Sequence, residues 1–217
     1  MKRWIFLMIL LPSFTIFSNA FDLIDESYLS LKEFLDQSDS GAFISLLERA
    51  KGILIVPKYF KIGWIVGGQY GEGILLRRDI DTNKWYGPLF VKIYGLSLGP
   101  QIGFQSVSLI AVIMDSVESF ASENLTLGGS LSVAAGPLGR RLSADYNLDA
   151  SVYSYSIARG FYAGFSLEGA KVDIDLELTR EYYNTYKIDP KEILFTKVVS
   201  GKARKIVNLL NEKLIEK

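Results

Sequence analysis

One stretch restricts the fold of this chain more than any other: Val66 to Arg78, reading Val-Gly-Gly-Gln-Tyr-Gly-Glu-Gly-Ile-Leu-Leu-Arg-Arg. Gly67, Gly68, Gly71 and Gly73 bracket one aromatic and one carboxylate before two arginines close the segment. Glycine inside a strand packs nothing and weakens it, so this density marks a bulge, a sharp bend or a close backbone approach. The residues after Gly73 exclude a phosphate-binding loop. Such a loop needs a helix to open next, with its free N–H groups aimed at the anion, whereas here Ile74-Leu75-Leu76 continues as a strand into a polar turn, Asp79 to Lys84.

Around that stretch the pattern alternates as strands do. Ile53 to Val56 is a continuous apolar run, the mark of a strand buried on both faces. Leu89, Val91 and Ile93 alternate with Phe90, Lys92 and Tyr94, and Leu109 to Met114 reads as buried. Leu125 to Val133, Leu142 to Leu148, Val152 to Ile157 and Phe161 to Leu167 alternate in turn, with Arg159-Gly160 between the last two. Asp115 and Glu118 have capping-box spacing and predict a short helix through Phe120. Helices flank the strands. Ile24, Tyr28, Leu31 and Leu35 form one apolar stripe, and a second helix is expected from Ser38–Ser40 through Phe43, Leu46, Leu47 and Ala50, ended by Gly52. Tyr182, Tyr183 and Tyr186 suggest another short helix, and Pro190 opens the next turn. After a Ser200 cap, Val199, Ala203, Ile206, Leu210 and Leu214 keep a final helical stripe. The expected class is α+β: a curled antiparallel sheet of about eight strands, barrel- or sandwich-like, with N-terminal helices and a C-terminal amphipathic helix.

Composition narrows the chemistry. With neither cysteine nor histidine there is no disulfide, thiolate nucleophile, imidazole base or Cys/His zinc site. Basic and acidic residues balance at 24 each, which argues against nucleic acid as a partner. At the amino terminus Lys2 and Arg3 precede an apolar run from Trp4 to Phe17, followed by Ser18-Asn19-Ala20. That is the pattern of a secretory signal peptide over residues 1–20, the run being shorter than the ~20 residues of a membrane-spanning helix. Residues 21–217 then form one domain, exported to the periplasm or beyond. Without a cysteine after the leader it is not a lipoprotein.

The glycine-rich strand resembles the signature of the SYLF-domain family. Ala50-Lys51-Gly52-Ile53-Leu54-Ile55-Val56-Pro57 is similar to that family's entry strand, and Leu98 to Ser106 to its central strand pair. Leu125 to Arg140 and Val152 to Gly169 extend the likeness over nearly the whole chain after the leader. The resemblance implies a non-enzymatic module, without cofactor, that binds anionic lipid at a membrane surface. Its runner-up is a protein-interaction or structural envelope module, the counterpart of the actin-binding role of some eukaryotic relatives. In those relatives a basic amphipathic N-terminal helix engages phosphoinositides. Here the first helix departs from that, with Asp22, Asp25, Glu26, Glu33 and Asp36 against Lys32 alone.

The cations then left for a headgroup are Lys51, Lys58, Lys61, Arg77, Arg78, Arg140 and Arg159 around the strands, and Lys202, Arg204 and Lys205 on the last helix. Basic residues near an anionic surface contribute about 1 kcal/mol each. Two bland alternatives stand beside this reading: solvated strand ends, and a last helix simply docked on the sheet. Arg77 and Arg78, as strand neighbours, should point to opposite faces. Three further readings are weaker on the residues. An outer-membrane barrel is opposed by the non-alternating runs and helical ends. Calcium at Asp173, Asp175 and Glu177, three carboxylates on one expected strand face, is opposed by the missing glycine turn. Catalysis by Glu72 and Glu168, the carboxylates expected inside, lacks a companion nucleophile or oxyanion site.

Overall fold

A computed structural model describes residues 19–37, 40–63, 66–98, 103–115, 117–122, 125–137, 149–158, 161–164 and 167–216. The expected signal peptide, the Leu142–Leu148 strand, Arg140 and Arg159 lie outside the described residues. The order is α1 (Ala20–Leu35), α2 (Gly41–Leu47), β1 (Gly52–Gly63), β2 (Val66–Asp79), β3 (Lys84–Leu98) and β4 (Gly103–Ile113). A 3₁₀ turn comes next at Val117–Ala121, then β5 (Leu125–Thr126), β6 (Val133–Ala135), β7 (Val152–Ala158), β8 (Phe161–Gly164) and β9 (Lys171–Ile174). The chain closes with α3 (Leu176–Tyr183), α4 (Pro190–Thr196), a 3₁₀ turn at Gly201–Ala203 and α5 (Arg204–Ile215).

The strands form one sheet in the order β5-β9-β3-β2-β1-β4-β7-β6, with β8 beside β7. Every pairing is antiparallel except β6 with β7. The sheet is therefore mixed at one edge only. Its two ends, β5 and β6, are separated by the short segment 127–132, and Leu127 and Leu131 form a bridge within it. The sheet thus curls until its edges approach each other, the barrel-like outcome of the two expected.

Two of the β2 glycines, Gly71 and Gly73, serve a bulge, as expected. Ile55 pairs with Ile74 and Lys58 with Glu72, so Val56 and Pro57 together oppose Gly73 alone. A Cβ on Gly73 would sit 2.5 Å from the Ile55 carbonyl oxygen, and one on Gly71 would sit 2.7 Å from Val56 Cγ1. Only glycine tolerates a neighbour that close. Pro57, which lacks an N–H, occupies the one place in a central strand where a ladder bond is already lost.

The bulge leaves both faces apolar. On the outer face Ile53, Ile55, Ile74, Leu76, Phe90, Ile110 and Val112 meet α1, α2 and α5. There Phe34, Phe43 and Tyr155 pack edge to face, with centroids 4.6 to 5.5 Å apart. On the inner face Leu54, Val56, Leu75, Val91, Ile93 and Leu109 close on Phe120, Leu125, Leu127 and Leu131, with Ile193 and Leu194 of α4 against them. Helices cover the outer face where an outer-membrane barrel would present an apolar belt to lipid. No helix among the described residues is long and apolar enough to cross a membrane.

Several expectations are corrected. The second helix ends at Leu47, and Gly52 is the first residue of β1. Leu125 to Val133 is two short strands around a turn rather than one, because Gly128 adopts φ +85°, which folds the chain back. Asp173 to Leu178 does not continue as a strand. Asp175 ends β9 and caps α3, accepting the N–H groups of Glu177 and Leu178 at 3.1 Å each, so the three carboxylates share no strand face. Tyr186 lies beyond α3 and is 94% exposed. Ser200 makes no side-chain cap.

Candidate functional site

The C-terminal stripe is core. Ala203, Ile206 and Leu210 are fully buried against the outer face, which fits the docked-helix reading of α5. Its basic side chains turn to α1: Lys205 donates to Asp25, and Lys202 lies 3.7 Å from the same carboxylate. Lys205 Nζ also stands 4.9 Å from the Tyr28 ring centroid, and Lys202 Nζ 5.3 Å from that of Phe21. The Lys205 ammonium, hydrogen-bonded to Asp25, holds that carboxyl below its usual range. Glu26, on the same face of α1, accepts from Lys58 of β1. Two of the five acids named on the first helix, Asp25 and Glu26, are thus paired with this chain's own lysines. Arg204 is exposed.

The strand cations divide between two ends of the sheet. Lys61 lies with Tyr59 on the inner side, its Nζ 6.0 Å from the ring centroid, and partial burial lowers its pKa. At the opposite end, where β2 turns into β3, Lys51, Arg77 and Arg78 come together around a pocket of about 320 Å³. Asp79, Asp81 and Glu118 line the same pocket, with Lys51 also 3.8 Å from Asp115. Charge across the lining is therefore balanced.

The two arginines differ, as opposite faces require. Arg78 turns to the outer side and is used up structurally. Its Nη1 donates to the Leu47 carbonyl at 2.9 Å, terminating α2, and its Nε donates to Asn83 Oδ1 at 2.9 Å. Arg77 turns to the inner side between two rings, 5.3 Å from the Tyr86 centroid and 4.4 Å from that of Phe195. Tyr86 is its cross-strand partner on β3. Phe195 is presented by α4, which Asp189 caps by accepting the N–H of Lys191 at 2.9 Å with Pro190 in the first turn. Among the described residues the Arg77 guanidinium makes no side-chain hydrogen bond and no close ion pair; its charge is felt by Asp79, whose carboxyl pKa is lowered chiefly by hydrogen bonds from Thr82 and more weakly by Arg77.

Sequence reasoning found Arg77 but neither of its rings. Tyr86 was available by counting back across the turn at 79–84. Phe195 reaches the site only through the tertiary placement of α4.

The carboxylates considered for catalysis separate. Glu72 is half-buried, accepts from Tyr70 Oη at 2.5 Å, and is raised in pKa chiefly by burial. Glu168 is exposed in the turn before β9, contrary to expectation, and contributes no interior acid. Among the described residues no group of three or more ligating side chains could hold a metal.

A family model described as Las17-binding protein actin regulator, Ysc84, matches residues 94–213. The chain belongs to the Ysc84, or SYLF, family. Among relatives of this family member, the SH3 domain-containing YSC84-like protein 1 of Rattus norvegicus is 37% identical over 173 residues, 76% of this chain and 50% of that protein. The Homo sapiens protein of the same name is 40% identical over 144 residues, 64% of this chain and 41% of its own. The LAS seventeen-binding protein 3 of Saccharomyces cerevisiae is 32% identical over 145 residues, 64% of this chain and 31% of its own. This Ysc84-family chain spans half or less of the length of those relatives. No solved structure matches it significantly.

Proposed function

We propose that this Ysc84-family domain is a non-enzymatic protein-interaction module. The observation that carries this reading is the internal use of its cations. Lys51, Lys58, Lys202 and Lys205 pair with Asp115, Glu26 and Asp25, and Arg78 is bonded to α2, so five of the eight described side chains expected to bind a headgroup already have partners within the domain. The family description and the name of the yeast relative, each of which refers to binding the protein Las17, point the same way. The leader pattern of Lys2, Arg3 and Trp4 to Ala20 supports a site of action outside the cytoplasm, at an envelope surface. N-terminal sequencing of the exported protein should then begin at Phe21. A cytoplasmic product that retains Met1 overturns that placement.

Anionic lipid is the second reading, favoured by Lys51 and Arg77 beside the pocket where β2 turns into β3. Co-sedimentation with anionic and with neutral vesicles across a salt series separates the two. The protein-interaction reading expects the domain in the supernatant with every vesicle. Pelleting with anionic vesicles alone, lost as salt screens charge over about 8 Å, replaces it with headgroup recognition.

A further inference from the structure

We propose that the pocket where β2 turns into β3 receives a single carboxylate side chain from a protein partner, with Arg77 as its anchor. This rests on the protein-interaction reading and specifies its chemistry. A guanidinium is a planar fork of donors matched to two oxygens in one plane, and recognition is sharpest when the fork is held still before the ligand arrives. Here the holding is done by rings. Tyr86 and Phe195 flank Arg77 at 5.3 and 4.4 Å, attract its charge and supply apolar contact, yet compete for none of its N–H donors with a carboxylate of their own. The contrast with Arg78 is direct, since that neighbour's Nη1 and Nε are bonded to Leu47 and Asn83.

The same pocket argues for a monoanion over phosphate. Lys51, Arg77 and Arg78 are matched by Asp79, Asp81 and Glu118 in the lining, so no net positive potential is available to offset a dianion. A dianion would meet repulsion from those three acids, while one planar carboxylate can take the Arg77 fork. Ile80, 45% exposed at the pocket's edge, offers the apolar contact that a residue beside the acidic one would use. A volume of about 320 Å³ is of a size for one side chain and part of its neighbour.

The test is an NMR titration of the folded chain with acetyl-Leu-Glu-Leu-amide, tracking the Arg77 Nε–H and the backbone amides of Asp79, Ile80 and Asp81. Saturable shifts confined to this pocket are expected. The neutral acetyl-Leu-Gln-Leu-amide should bind about tenfold more weakly, and so should the glutamate peptide to Arg77→Lys, which keeps charge but loses the fork. Phe195→Leu, which loosens the rings around Arg77 and leaves all charges in place, should weaken binding in the same direction. Equal binding of both peptides, or full binding by Arg77→Lys, overturns the proposal. Tighter binding of inorganic phosphate or of anionic vesicles at the same resonances overturns it as well, and assigns the site to a phosphate ligand. Silence at this pocket removes the anchor but leaves the wider protein-interaction reading to the vesicle experiment, so the two fail separately.

Discussion

Glu72 shows how one residue reports on its surroundings. In β2 it faces Lys58 on one neighbouring strand and Lys92 on the other, with Tyr70 two residues back donating to it. Burial is the largest influence and raises its pKa. The Tyr70 bond and Lys92 oppose that, and Asp175 and Glu26 reinforce it. A carboxyl whose folded pKa lies above its unfolded value holds its proton more tightly in the fold. Its contribution to stability is therefore complete below the unfolded value, about 4.3, and is lost as pH rises through the folded value. Glu72→Gln keeps an acceptor for Tyr70 and cannot ionise. Thermal melts should show it at least as stable as the parent at neutral pH, with the difference closing below about pH 4. A variant clearly less stable at neutral pH would mean that attraction to the lysines outweighs burial. From sequence the enclosure of Glu72 was legible, because glycines flank it. The exposure of Glu168 was not, because its glycine neighbour Gly169 adopts φ +80° and turns the chain outward.

At the scale of elements, α1 and α5 form the least local unit of the molecule. Lys205 and Asp25 are 180 positions apart, and no periodicity within either helix announces the other. What periodicity did show was each apolar stripe, and both are buried apart from Tyr28 and Leu214, which are partly so. The opposite charges on the two helices were visible too, but as separate facts about lipid affinity. Their physical meaning appears only when sheet curvature brings the helices together. The division of energy between stripe and charges can be measured by denaturant unfolding. Ile206→Ala, at a fully buried position, should cost about 2–5 kcal/mol, whereas Lys205→Met should cost under about 1 kcal/mol because the pair it breaks is partly solvated. The reverse ranking would make the helix pair an electrostatic device. Strand limits were read less well where one backbone angle decides the matter, as at Gly128, since alternation continues in the letters after the chain has turned.

For the whole molecule, the α+β class and the curl came from alternation and glycine placement, while the order of strands did not. Alternation assigns a residue to a face and says nothing about which strand lies beside it. The position of β1 between β2 and β4, and the meeting of β5 and β6 across 127–132, come from how two apolar faces are enclosed at once. The matching of α1 to α5, and of Glu26 to Lys58, bears finally on rates of encounter. A domain whose formal charge over residues 21–217 is only −2, and in which Asp25 and Glu26 are paired with Lys205 and Lys58, projects little field beyond its surface. An approaching partner is then not steered from a distance. Association should proceed at the unsteered rate of about 10⁵–10⁶ M⁻¹s⁻¹ and vary little with ionic strength, leaving selectivity to how long a correctly seated partner stays.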